Sequence, residues 1–483
     1  MDSHSKKIYK TLCEQFDKVL LSKRSNEFII ANPYLHVLRL HPNFLKKYTN
    51  KSLFNFSLDF FISLLKIAIR AFQSIFDRKH FYHLTELKIC DLLIVSHLDS
   101  FKQIGEDQDI HFGNIPKFLH KQDIKCCLVL INNIGLKNPK KITPWKNSPF
   151  QRVVLSKSLS IISEMKLIKG FFASIPLLKE LINSTSVEHG LKKNVFTEIY
   201  STINELRIAN QVNEIIDIVK PKAVISPYEG HPYERLIFFY IRKRGLSIKC
   251  FSYQHSMIFE HQHPIRRNLG ELYDPEVIFT SGTASLIELE KRKNLENTMK
   301  FSIGSKKYIE PPNVNQKKKN ICLVIPEGFL SECNILFKLS LEYANKHPNQ
   351  SFIWRLHPSQ SFDNLIKNYP KFRKIPTNIS FSNQTIEEDM RKCNSFLYRG
   401  STAAIAAISY GLKAIYYKLP KEDFLIDPIY MMADDRYLIT DLKQLEVALS
   451  KENSIESTAR LQNLSKEVYS KLDIKELASR INS

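Results

Sequence analysis

From residue 87 onward, short apolar runs alternate with amphipathic stretches, a pattern that predicts strands and helices in turn. Residues 91–96 and 126–132 are apolar on both faces, as strands buried inside a parallel sheet must be. The spacing then predicts a long helix around 193–219 and a strand over 222–226 that ends in Pro227-Tyr228-Glu229-Gly230. A helix over 233–244, a turn at Gly245 and a strand over 248–253 follow, the last ending in Gln254-His255-Ser256. With a further short strand at 277–280, residues 87–310 form one Rossmann-like unit.

Residues 311–319 (PPNVNQKKK) combine prolines, asparagines and a lysine run, and divide the chain. A second unit over 320–483 opens with a strand at 321–325, followed by the loop PEGFLSE and a helix. The strand 352–356 ends in His357-Pro358, where proline stops ladder pairing. After a strand at 379–381 and a helix at 385–392, the strand 395–398 leads through Arg399-Gly400-Ser401-Thr402 into a small-residue helix over 403–410, stopped by Gly411, and a strand over 413–417. Ser401 or Thr402 suits the helix N-cap, which aims hydroxyl and backbone N–H groups at the strand end and predicts an anion site. The tail after 440 is helical. Ahead of them, residues 1–86 form an extra helical region, whose first 50 residues are weakly patterned and receive no chemistry. Within it, a helix over 52–79 carries Asp59, Ser63, Lys66, Arg70, Gln73 and Asp77 on one stripe, with apolar side chains elsewhere. Such a helix fits two settings: a membrane interface with Lys66 and Arg70 toward anionic headgroups, or a largely buried position in the protein.

Composition narrows the classes. The chain has 483 residues, 43% hydrophobic and 25% charged, which is globular and long enough for two or three cores. Eight cysteines are scattered without a CxxC pair or a Cys/His ligand cluster, so neither disulfides nor zinc is expected. The polar start MDSHSKKIYK lacks a signal-peptide core, and no uncharged run is long enough to span a bilayer. The expected location is cytoplasmic, with peripheral attachment to the inner face of the plasma membrane as an option. Net charge is +21, from 70 Lys+Arg against 49 Asp+Glu, which suits nucleic acid, an anionic membrane or anionic substrates. No nucleic-acid-binding motif accompanies it, so nucleic acid is not an expected partner, and a basic nucleic-acid-binding protein is the non-enzymatic alternative.

The candidate chemistry lies at strand ends. In the second unit, Arg355, His357, Pro358, Arg399, Gly400, Ser401 and Thr402 are the donor-side candidates, with Glu327 and Gly328 at the end of its first strand. Arginines suit forked binding of carboxylate or phosphate. In the first unit, Glu229 and His255 each end a strand and are the rival general bases; the plainer roles are a helix-start carboxylate and a hydrogen-bonded loop histidine. No DxD motif stands at a strand end, so no metal and no cofactor are expected, and Asp434-Asp435 reads as a solvated loop.

RLHP followed 44 positions later by RGST, then a small-residue helix and GLKAIYY, resembles bacterial surface-polysaccharide glycosyltransferases of the two-Rossmann (GT-B) type. The likeness is greatest to those using CMP-activated acidic sugars, the bacterial sialyltransferases and Kdo transferases, and covers roughly the last half of the chain. The resemblance implies an α/β fold with two Rossmann-like domains facing a cleft. It also implies a nucleotide-sugar donor held by the His-Pro and Ser/Thr motifs, and a capsule, O-antigen or lipid-linked glycan acceptor. An acidic-Gly motif in the other domain supplies the base in that group. Here the usual acid pair is replaced by Tyr228-Glu229. His255 is similar to the histidine that follows a strand in teichoic-acid-type polymerases, which implies CDP-glycerol or CDP-ribitol phosphotransfer as the alternative chemistry.

Overall fold

The computed structural model describes residues 3–48, 53–76, 81–83, 86–136, 145, 148–291, 293–311, 320–452 and 454–483. The end of the 52–79 helix, including Asp77, and the 312–319 part of the dividing segment lie outside them.

Two sheets organise the chain. The first contains β1 (Phe81–His83), β2 (Leu92–Leu98), β3 (Cys126–Asn132), β4 (Gln151–Leu155), β5 (Ala223–Pro227), β6 (Lys249–Gln254), β7 (Val277–Thr280) and β8 (Met299–Ser302). Their order is β1-β4-β3-β2-β5-β6-β7-β8, all parallel except for the β1–β4 pair. The second contains β9 (Ile321–Ile325), β10 (Ser351–Trp354), β11 (Ile379–Phe381), β12 (Ser395–Tyr398), β13 (Lys413–Tyr417) and β14 (Tyr437–Ile439), in the order β11-β10-β9-β12-β13-β14 and parallel throughout. In each sheet the strand order reverses once, between β2 and β5 and between β9 and β12. A reversal leaves a crevice at the strands' carboxyl ends, because the connecting helices depart to opposite faces. Strands β1, β4, β8 and β14 are additions to the sequence reading. Helices cover both faces of both sheets, and the cysteines are all buried as free thiols. The two domains face a cleft, and the N-terminal helices complete the core on one side of the first sheet.

The tail crosses between domains. The helix Ile455–Val468 packs against Ala403–Ser409 of the second domain and Thr283–Glu290 of the first. The helix Lys475–Asn482 then inserts Leu477 and Ile481 under the first sheet, beside Phe251 and Phe279.

The helix Leu53–Phe76 is turned opposite to the usual sense. The inner part of its polar stripe faces the protein: Ser63 Oγ donates to Thr197 O at 2.8 Å, Arg70 bonds Lys157 O and Tyr200 OH, and Ser74 is buried, while Lys66 and Gln73 at the edge of that stripe are exposed. Of its described large apolar side chains, Ile67 is buried and Phe60 and Leu64 are half-buried, while Leu58, Phe61, Ile62, Leu65, Ile69, Phe72 and Ile75 are exposed.

Candidate active site

The strand ends at both reversals open into one cavity of about 410 Å³ between the domains. Tyr228, Glu229 and His231 enter it after β5, and Gln254 and Ser256 after β6. From the other side come Glu327 and Gly328 after β9, His357 after β10, and Gly400, Ser401 and Thr402 after β12. Leu38, Arg39 and Phe44, from the N-terminal region, close one wall.

On the first-domain wall, the turn that presents Glu229 is built by another acid. Glu234, fully buried, accepts from the backbone N–H groups of Glu229 at 3.1 Å and Gly230 at 2.9 Å, and Gly230 adopts φ +95° to make the turn. Burial raises the Glu234 carboxyl to about 7, against the pull of His231. The Glu229 carboxylate, about a third exposed, lies 3.5 Å from His255 Nε2 and 3.7 Å from His231 Nε2. Burial pushes His231 down, but Glu234, Glu229 and Glu205 outweigh it and leave it raised.

Behind Glu229 stands a run of imidazoles. His255 Nε2 and His111 Nδ1 share a hydrogen bond of 2.9 Å, and the His97 ring meets His111 edge-on at 5.2 Å. Asp109 positions His111 by accepting from its backbone N–H at 2.8 Å. Burial holds His255 and His111 well below the ordinary histidine range; His111 and Lys307 push His255 the same way, and His97 and Lys307 push His111. Both rings are therefore neutral near pH 7. Each also keeps one buried ring nitrogen without a hydrogen-bond partner, Nδ1 of His255 and Nε2 of His111. A neutral imidazole pair with spare nitrogens can accept and pass a proton. Among the described residues, no group of three or more His, Cys, Asp or Glu is arranged to hold a metal ion.

The second-domain wall is organised by Glu327. Arg39 Nη2 donates to its Oε1 at 2.6 Å and His41 Nε2 to its Oε2 at 2.7 Å. His41 Nδ1 accepts from the Asn43 backbone N–H, so the ring proton sits on Nε2. Burial alone would raise the Glu327 carboxyl; His41 and Arg39 overcome it and lower it to about 2. The Arg39 guanidinium also lies over the Phe259 ring at 4.0 Å. Leu40, between the two, donates its N–H to His261 O of the first domain at 2.9 Å. Residues 39–41 thus bridge the cleft, backbone on one domain and side chains on the other. Gly400 fits against this bridge because it lacks a Cβ, which would lie 2.4 Å from Glu327 Oε1. His357 Nδ1 accepts from the Ser359 backbone N–H at 3.2 Å, and partial desolvation lowers its basicity.

The sequence candidates therefore divide. Glu229, Glu327, Gly328, His357, Gly400, Ser401 and Thr402 line one cavity, and His255 supports Glu229 from behind. Arg399 does not reach it. Its guanidinium is fully buried between Glu332 at 2.7 Å and both oxygens of Glu422 at 2.7 and 2.8 Å, with Tyr417 O at 2.9 Å. Its Nε, Nη1 and Nη2 all donate inside the domain. Arg355 is likewise held by Asp389 at 2.8 Å and Gln384 O at 2.9 Å, and Pro358 is exposed outside the cavity lining. Thr402 occupies the N-cap of the short helix without a side-chain capping bond, so its hydroxyl remains available to the cavity. Asp435 is paired with Arg460 and is not a free loop acid. Sequence reasoning missed Arg39 and His41; their one signal is that His41-Pro42 repeats the His-Pro dipeptide of 357–358. His111 carries no local motif.

No family model matches the chain, and no curated protein matches its sequence. Solved structures that resemble it include the glycotransferase of kitacinnamycin, at TM-score 0.49 and 10% identity over 82% of this chain and 99% of that one. SnogD, a glycosyltransferase from Streptomyces nogalater, gives 0.46 and 12% over 82% and 99%. UDP-GlcNAc 2-epimerase from Methanocaldococcus jannaschii gives 0.43 and 12% over 77% and 99%. The layout is GT-B-like. That statement stands on the two strand orders and the cleft they share, and chemistry must be read from the cleft's own side chains.

Proposed function

We propose that the cleft transfers a sugar from a nucleotide-activated donor to an acceptor hydroxyl, with Glu229 as general base. One observation carries the reading: Glu229 faces His357 and Gly400–Thr402 across a single cavity at both strand-order reversals. In this reaction the acceptor oxygen bonds to the anomeric carbon as the bond from that carbon to the donor phosphate breaks. The acceptor proton passes to Glu229, and the bonding pair leaves with the phosphate. His357 and the hydroxyls of Ser401 and Thr402 supply hydrogen bonds to the departing anion, and Gly328 gives it room near the backbone. His255, neutral and 3.5 Å from Glu229, can hold the carboxylate in place or take the proton onward.

The donor we favour is a CMP-activated acidic sugar, on the RLHP and RGST resemblance, and the acceptor a surface glycan or its lipid-linked precursor. Arg355 and Arg399 lie outside the cavity lining, and Arg39, itself paired with Glu327, is the arginine that lines it beside such a donor. Polyol-phosphate transfer is the second reading, favoured by the buried neutral His255–His111 pair. A thermal-shift panel of CMP, CDP, UDP and GDP tests the donor site. A nucleotide at 100 times its Kd stabilises by about 2.7 kcal/mol, and CMP is expected to give the largest shift. His357→Ala and Ser401→Ala are expected to lose the shift while unfolding near the parental temperature. Parental shifts in both variants would refute the donor-site assignment.

A further inference from the structure

The helix Leu53–Phe76 turns Ser63 and Arg70 of its polar stripe to the protein, leaves Lys66 at the stripe's exposed edge, and gives its apolar arc to the outside. Leu58, Phe61, Leu65, Ile69, Phe72 and Ile75 recur three or four residues apart, so they share one face, and their exposure runs from 47% at Leu58 to 63% at Phe61. A continuous apolar stripe of this size is not a solvated surface.

We infer that this face docks on an anionic lipid surface, lying in the headgroup region with its axis along the bilayer. Charge selects the occupant. The neighbouring helix Ile161–Asn183 packs against Leu53–Phe76 and exposes Ile162, Met165 and Phe172, interleaved with the exposed Lys166, Lys169 and Lys179. Lys66 adds a further exposed cation at the edge of the stripe. Glu180, the exposed acid near the end of that helix, is neutralised by Arg24 at 2.9 Å. Apolar side chains fringed by lysines match a bilayer that offers acyl chains beneath phosphate headgroups. The same fringe opposes a second copy of this chain, since each copy carries +21 and the lysines would meet face to face. Among the described residues no helix is long and apolar enough to cross a membrane, so the helix lies on the surface and does not span it. The inference does not depend on what the cleft transfers.

Co-sedimentation of the full chain with vesicles reads the docking directly, without an activity assay. One set is phosphatidylcholine alone; the other contains added phosphatidylglycerol. The parent is expected to sediment with the second set and to be released by added salt. F61N combined with L65N is expected to weaken sedimentation at least about tenfold, because each removes a side chain otherwise buried among acyl chains. Both positions are exposed, so thermal unfolding should stay parental. K166E combined with K169E leaves the apolar stripe intact and is expected to lose the preference for phosphatidylglycerol. Equal sedimentation with both sets, or with neither, overturns the proposal. So does a parental dimer in sedimentation velocity that F61N with L65N abolishes while the parent ignores vesicles.

Discussion

Glu229 and His255 compete on paper for the same role, yet their side chains lie 3.5 Å apart. The carboxylate faces the cavity and the imidazole stands behind it, so in the proposed transfer Glu229 is the group that meets the acceptor. Glu229→Gln keeps the shape and removes the acceptor, and turnover is expected to fall about 10²–10⁴-fold with nucleotide affinity little changed. His255→Gln is expected to cost less, because Glu229 remains in the cleft. Steady-state kinetics beside nucleotide titration separate these outcomes, and the reverse order of damage supports polyol-phosphate transfer. Single residues also show where sequence stops being informative. The positions of Glu229, Glu327, His357 and Ser401 were legible because Gly and Pro punctuate the strand ends that carry them. The direction of Arg399 was not, since its partners Glu332 and Glu422 are 67 and 23 positions away and nothing local marks them as buried.

At the scale of elements, the loops after β9 and β12 fit together through one missing methyl. A side chain at 400 would overlap the Glu327 carboxylate, which cannot swing aside while Arg39 and His41 hold it. Gly400→Ala is therefore expected to push Glu327 off Arg39 and His41 and to abolish the nucleotide-induced thermal shift, with the fold retained; a parental shift would show that the loop yields. Strands flanking the site were readable as apolar runs, whereas β1, β8 and β14 are three or four residues long and β4 opens with Gln151-Arg152. Such pieces gain their strand character from the neighbour they pair with. The segment 39–41 is the same lesson in a loop. Its partner is 288 residues away, and no periodicity in residues 1–50 foretells the contact. For the helix Leu53–Phe76 the pattern gave two stripes correctly and left open which faced inward; Tyr200 and Thr197 decide that.

For the whole molecule, buried histidines set a limit on acid tolerance. His36, His111 and His255 are all held well below the ordinary histidine range, each mainly by burial. In the unfolded chain they take up protons below about pH 6.5, while in the folded chain they do not. The unfolded state then binds more protons, so the stability these groups leave intact above pH 6.5 is lost as pH falls through that value. Three such groups contribute about 4 kcal/mol per pH unit, at 1.36 kcal/mol per proton, and Glu234, raised to about 7 in the fold, takes up a proton over the same range and offsets about one of them. Urea unfolding from pH 7 to pH 5 compares the parent with His111→Asn, whose slope should be smaller by about one proton. An unchanged slope in His111→Asn would mean that this ring is protonated in the fold.

The tail that runs back beneath the first sheet ties the order of events in folding to the order of the chain. Ile474, Leu477, Ala478 and Ile481 complete a core whose other members begin at Leu92. During synthesis, the first domain leaves the ribosome with that face open, and it stays open while the whole second domain is made. Only when residues 474–481 emerge can that face of the first sheet be sealed. Apolar surface waiting that long is a target for chaperones, and a chain stopped near residue 470 would be expected to aggregate although every residue lining the cleft had already been made.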